Sequence, residues 1–275
     1  MRGRPAGFLI GLVCVLAGCA PAAALPPSPA SAPSPATPTL LGIQTRHGTL
    51  FVTPQIGSAD RDAWSTRLDW AAESLEATDL GGLTDDWDGR LDVELTAAAA
   101  EFSALAGPDS ADAAAVTRCL AGRGRIAVNP QVLILQPDYL DGLLLHEAVH
   151  AALASPCAAG APLWVEEGLA EWVATEHSPP AEQTDLAWAK QTLAADGVPQ
   201  TLPPDAAFAG GQLLPAYALS RSAVAAVVEH GGTDWAMAFF GRAIAGTATA
   251  DEVARVTGWY RADLTRLAGS ERDGK

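Results

Sequence analysis

The chain has 275 residues, of which 49% are apolar, and a formal net charge of −15. That is enough apolar material for one domain of ordinary size, and the acidic surplus argues against a nucleic-acid partner. Beyond the N-terminus no segment is long and apolar enough to span a bilayer.

The chain begins with a short basic region, Met1-Arg2-Gly3-Arg4, followed by an apolar run from Phe8 to Ala17 and the sequence Leu16-Ala17-Gly18-Cys19. This is the layout of a secretory signal. Its ending resembles a bacterial lipobox, in which the signal is removed before the cysteine and that cysteine is diacylated. Residues 1–18 are therefore assigned as a lipoprotein signal peptide and Cys19 as the lipidation site. That assignment puts the mature protein outside the cytoplasmic membrane, anchored by its lipid. A non-lipidated signal cut after a later Ala-x-Ala is the alternative. Removing residues 1–18 takes away Arg2 and Arg4 and no acid, which leaves the mature chain near −17. Residues 19–41 are mostly Pro, Ala, Ser and Thr, which cannot bury a core and read as an extended tether. Residues 42–275 remain as the folded domain.

Within it, Leu50-Phe51-Val52 reads as a strand. Asp60 to Thr78 reads as an amphipathic helix with Trp64, Leu68, Ala71 and Leu75 on one side. Leu91 to Leu95 alternates like a strand and is followed by an alanine-rich helix from Thr96 to Leu105. Arg125–Val128 and Val132 to Leu135 read as short strands. Gln136-Pro137-Asp138 then opens a helix, with Asp138 as its expected N-cap. After Leu163 the pattern is helical, broken at 178–180, 197–211 and 231–232. Strands and helices are mixed before Leu163 and helices follow it, a division of the α+β kind.

The helix after Pro137 carries His146-Glu147-Ala148-Val149-His150, an H-E-x-x-H motif. Residues four apart lie on one helical face, so both imidazoles can reach one metal ion. Glu147 then stands beside the first ligand, placed to act on a water molecule as general base. A helix carrying two unrelated histidines is the bland alternative. A proline disfavours helix in the residue before it, so Pro156 predicts that this helix stops near Ala154. Pro162 suits the first turn of the next helix, making a helical hairpin.

Its second arm begins Pro162-Leu163-Trp164-Val165-Glu166-Glu167-Gly168-Leu169-Ala170-Glu171. The His-helix, turn and Glu-helix, with a W-x-x-E-G-x-A match, resemble the gluzincin metallopeptidases, the group that includes thermolysin. The resemblance covers about residues 42–270, and its specific part is 146–172 plus the helix that begins near Leu214. It implies one Zn2+ per chain, held by His146, His150 and Glu167, with a water in the fourth position. Glu166 competes as third ligand, but it lies about 100° round the helix and is expected to face solvent. Glu171 shares the face of Glu167 and is implied as the carboxylate that orients a ligand histidine. Tyr217, at the start of its helix, is implied as the donor to the oxyanion; a core aromatic is its other reading. The implied fold has a cleft between a mixed upper half and a helical lower half, with an edge strand binding substrate; Arg125–Val128 is the candidate.

The implied activity is hydrolysis of a peptide or protein substrate. Three alternatives stay open: cleavage of another amide such as a cell-wall peptide, a binding lipoprotein without turnover, and a structural zinc site. The last needs a fourth protein ligand, and none stands out. His47, His177 and His230 lack ligand spacing and read as surface or capping residues. Of the four cysteines, Cys14 lies in the signal and Cys19 takes the lipid. Cys119 and Cys157 remain, and in an oxidising compartment they are expected to pair, with two buried thiols as the alternative.

Overall fold

Five strands make one mixed sheet: β1 (Leu41–Gln44), β2 (Gly48–Val52), β3 (Leu91–Leu95), β4 (Ala115–Leu120) and β5 (Arg123–Val128). Their order across the sheet is β1-β2-β3-β5-β4. The β2–β3 and β3–β5 pairs are parallel, and the two outer pairs are antiparallel. The computed structural model describes residues 37–269 apart from 108–109, 111, 154–156, 158–159 and 210–212. The expected signal peptide, Cys19 and residues 20–36 of the tether lie outside that set.

One face of the sheet is apolar. The register aligns Leu50 with Val93 and Ile126, and Val52 with Leu95 and Val128, all nearly inaccessible. Packed against it are α1 (Ser58–Ala77) and α3 (Pro137–Ala152). The buried side of α1 includes Trp64, Leu68, Ala71 and Leu75, the stripe that its 3.6-residue period predicts. The opposite face carries charge. Buried Glu94 is held by Arg118 and Arg125, and Arg125 also reaches Asp92 and lies over the Phe51 ring. A short helix, α2 (Ala99–Ala106), covers a satellite cluster around Phe102.

The second half is helical: α4 (Leu163–Glu176), α5 (Pro179–Asp196), α6 (Leu213–Gly231), α7 (Thr233–Ile244) and α8 (Ala250–Gly269). The result is the expected α+β division, with the sheet in the N-terminal half. No helix among the described residues is long and apolar enough to cross a membrane. Two helix–neighbour contacts depend on glycine. A Cβ on Gly124 of β5 would stand 2.5 Å from the Ala151 Cα of α3. One on Gly168 of α4 would stand 2.7 Å from the Ser220 carbonyl oxygen of α6. Both distances are below van der Waals contact, so these elements approach as closely as they do because the side chains are absent.

Three local expectations are corrected. Val132 to Leu135 is not a strand. Asn129 accepts from the Gln131 N–H and Pro130 starts a 3-10 turn, so the Asn-Pro turn chemistry overrides the apolar run. Gln136, not Asp138, caps α3, because Pro137 lacks an N–H and fits the first helical position. The third correction concerns the sheet edge. Arg125–Val128 lies between β3 and β4, both of its edges paired, so the free edge on that side is Ala115–Leu120.

Cys119 on that edge strand is disulfide-bonded to Cys157, in the connection between α3 and α4, with 4.9 Å between Cα atoms. The bond closes a loop of sequence separation 38. Replacing both cysteines by serine is expected to remove roughly 3–4 kcal/mol of stability by loop-closure entropy. Denaturant unfolding of the oxidised and substituted proteins measures the loss. Equal midpoints would show that the bridge does not brace the fold.

Candidate metal centre

The second half of α3 is buried on all sides, between the sheet, α1 and α4, and it carries the motif. Helices α3 and α4 pack as a hairpin, and this brings Glu167 to the two histidines. His146 Nε2 and His150 Nε2 are 3.2 Å apart. Glu167 Oε2 lies 3.3 Å from the first and 3.4 Å from the second. All three residues are 3% exposed or less.

These spacings fit a metal ion. Tetrahedral zinc with nitrogen and oxygen ligands at about 2.0–2.1 Å sets neighbouring donors about 3.3 Å apart. Both Glu167 oxygens are buried, and apart from the two imidazoles neither meets a hydrogen-bond donor among the described residues. An ionised carboxylate in that position is costly unless a cation compensates it. Burial alone would raise the Glu167 carboxyl, but His150 first, then His146, hold it down at about 2. Burial likewise acts to lower His150, and Glu167 more than reverses it, so its imidazole is raised. The triad is thus a buried set of three donors that can hold a metal ion.

Around it stand the supporting side chains. Glu171 Oε1 lies 3.2 Å from His146 Nδ1, which favours the tautomer that leaves the Nε2 lone pair towards the triad. Tyr217 is 2% exposed, and its ring meets His146 edge-on with centroids 6.0 Å apart. Phe208 packs on its other side at 5.7 Å. Glu147 is buried beside the triad, and Thr117 Oγ1 is 2.6 Å from its Oε2 and 3.1 Å from its backbone oxygen. Thr117 points from the edge strand β4 to α3, on the same sheet face as Ile126.

Glu166 is corrected. It does not face solvent but is 8% exposed, and burial pushes its carboxyl up to about 7. His150 lowers it, while Glu167 and Asp205 raise it further. Asp205 also accepts from the Leu163 N–H at 3.0 Å, capping α4 from 42 residues away. Neither Thr117 nor Asp205 belongs to a motif. Each is found only when the chain is folded, since neither has a sequence spacing to the site. The other histidines stand apart: His47 against Glu73 and Glu76, His177 near Thr78, and His230 against Asp263. His230 does group with Glu229 and Asp263, but that set is largely exposed.

No protein-family model, no curated protein and no solved structure matches this chain. The site therefore rests on its own geometry.

Purified protein is expected to bind about one zinc ion, and His146→Ala or Glu167→Ala to lose most of it, while Glu166→Ala retains it. Elemental analysis after desalting reads this directly, and retention in Glu167→Ala with loss in Glu166→Ala would move the third ligand. Gly168→Ala tests the packing behind the site. Crowding the Ser220 carbonyl is expected to cost about 1–3 kcal/mol and to weaken metal retention by shifting Glu167. Wild-type stability and metal content in this variant would refute the close-approach argument.

Proposed function

We propose that this chain is a zinc-dependent peptide-bond hydrolase of the gluzincin type, working outside the cytoplasmic membrane. The observation that carries the reading is the buried His146–His150–Glu167 triad with a fourth group beside it, the hydrogen-bonded carboxylate of Glu147, on the helix that carries both histidines. A purely structural site has no use for that carboxylate. Export is supported by the signal-like N-terminus, with Cys19 as lipid anchor, and by a disulfide of a kind rare in reducing compartments.

When bound, zinc supplies a Lewis acid that polarises the scissile carbonyl and acidifies water. His146, His150 and Glu167 hold it. Glu171 keeps the His146 ring oriented. Glu147 takes the proton released as water attacks the carbonyl carbon, and passes it to the leaving nitrogen as the C–N bond breaks. Thr117 is the positioning residue for Glu147. Its hydroxyl donates to the carboxylate and fixes its rotamer, and the same strand offers a free edge along which an extended peptide can pair. Tyr217 donates its phenol O–H to the oxyanion that develops on the carbonyl oxygen.

Glu147→Gln is expected to keep the metal and lose hydrolysis by about 100-fold or more, because an amide cannot take the proton. Digestion of a peptide library by purified protein, with and without chelator and read by mass spectrometry, is the measurement. Equal residual activity in wild type and Glu147→Gln would end the catalytic reading. Tyr217→Phe is expected to lower kcat by up to about 100-fold with little change in KM. An unchanged kcat would leave Tyr217 a packing residue. Thr117→Val is expected to lower kcat about tenfold with KM held, and Thr117→Ser to restore it. Equal losses in both variants would point to strand packing instead.

A further inference from the structure

A cavity of about 370 Å³ opens beside the triad, between the N-terminal half of α3, the end of α4, α5 and the start of α6. Its walls include Tyr139, Leu143 and Trp188, which are apolar over most of their surface. Three carboxylates line it as well, Asp138, Glu171 and Asp185. Tyr217 forms part of the wall nearest the site. Since Glu171 and Tyr217 both touch the ring of His146, the cavity begins one side-chain layer from a metal ligand. A substrate residue next to the scissile bond reaches that far.

Asp185 is the residue that sets the cavity's chemistry. Its Oδ2 is buried and accepts no hydrogen bond. Arg221, the arginine that acts on it electrostatically, is hydrogen-bonded elsewhere: its Nε donates to Thr175 Oγ1 at 2.9 Å and its terminal nitrogen to Glu182 Oε1 at 2.8 Å. Trp188 Nε1, on the same helix one turn away, is also buried without a partner. The cavity therefore joins an aliphatic and aromatic wall to a carboxylate that forms no ion pair among the described residues and whose Oδ2 accepts no hydrogen bond there. Burial first, and Glu171 second, push the Asp185 carboxyl up to about 8, with Arg221 and His146 offsetting them only in part. A neutral apolar occupant would desolvate Glu171 and Asp185 further. A long side chain with a terminal cation covers the apolar wall with its methylenes and supplies the missing charge.

We infer that this cavity receives a lysine or arginine side chain of the substrate, with Asp185 as the specificity-determining residue. The inference rests on the proposed peptidase reading for its place in the reaction, and on the cavity alone for its choice of ligand.

The test uses the full mature chain, loaded with zinc. In a peptide library, wild type is expected to cut mainly where lysine or arginine occupies one fixed position beside the scissile bond. For matched peptides with lysine or norleucine at that position, Asp185→Asn is expected to lower the kcat/KM ratio at least tenfold, and Asp185→Glu to retain most of it. A ratio unchanged in Asp185→Asn overturns the inference. Thermal unfolding checks that each variant folds, with Asp185→Ser as the second neutral variant. If wild type cuts no peptide, the peptidase reading fails by itself, and calorimetry decides the cavity. The zinc-loaded Glu147→Gln protein is then titrated with the two peptides. A lysine preference of about tenfold that Asp185→Asn abolishes supports the subsite, and equal affinities sink it.

Discussion

The structure depends on burying a carboxylate and two imidazoles at one point between two helices. Taking such groups out of water costs several kcal/mol each unless they find partners there. Every neighbouring element is arranged around that cost. The sheet and α1 close α3 from one side, and α6 closes α4 from the other. At Gly168, next to Glu167 in sequence, α6 leaves no room for a Cβ, so the residue after the third donor is small for a packing reason. A side chain there would separate the helices and open the triad to water, where its donors would lose their mutual orientation.

The edge strand β4 has a double part in this arrangement. On the face turned to α3 it carries Thr117 and Cys119, two residues apart and therefore on one side of the sheet. Thr117 holds the Glu147 carboxylate, and Cys119 is bonded to the connection that leads into α4. One strand thus fixes the proposed base and tethers the turn preceding the third donor. The antiparallel β4–β5 pairing is what allows this. It sends the strand back along the sheet margin beside α3, leaving its outer backbone edge open.

Much of this was legible in the sequence, and the parts that were not share a cause. The histidine spacing, the helical hairpin and the Glu167–Glu171 face follow from helical geometry, so local pattern was sufficient. The α1 stripe and the strands at Leu50–Val52 and Leu91–Leu95 were readable for the same reason. The errors lie where tertiary contacts decide. Strand order is not encoded in local alternation, so Arg125–Val128, the expected edge, is interior. β4 carries no apolar alternation to mark it as a strand, with Ala115, Val116 and Thr117 all buried and Cys119 and Leu120 exposed. Helical phase gives Glu166 an angle but not its surroundings, and in the fold it is buried, with His150 and Asp205 close enough to act on its carboxyl.

The charges around the triad give the final argument for a cation. Helix α4 alone buries three carboxylates, Glu166, Glu167 and Glu171, and α3 adds Glu147. Against them stand two imidazoles and Arg221, which is engaged by Thr175 and Glu182. Two histidines can offset part of this only if both are protonated. Two imidazolium rings with Nε2 atoms 3.2 Å apart would repel strongly. If the histidines stay neutral, their lone pairs are free to coordinate, but the carboxylates are then uncompensated. Burial raises the Glu166 carboxyl, and the Glu167 and Asp205 carboxylates add to that. A divalent ion at the common point of the three donors resolves both difficulties, because it coordinates neutral imidazoles and adds two positive charges where the negative ones meet.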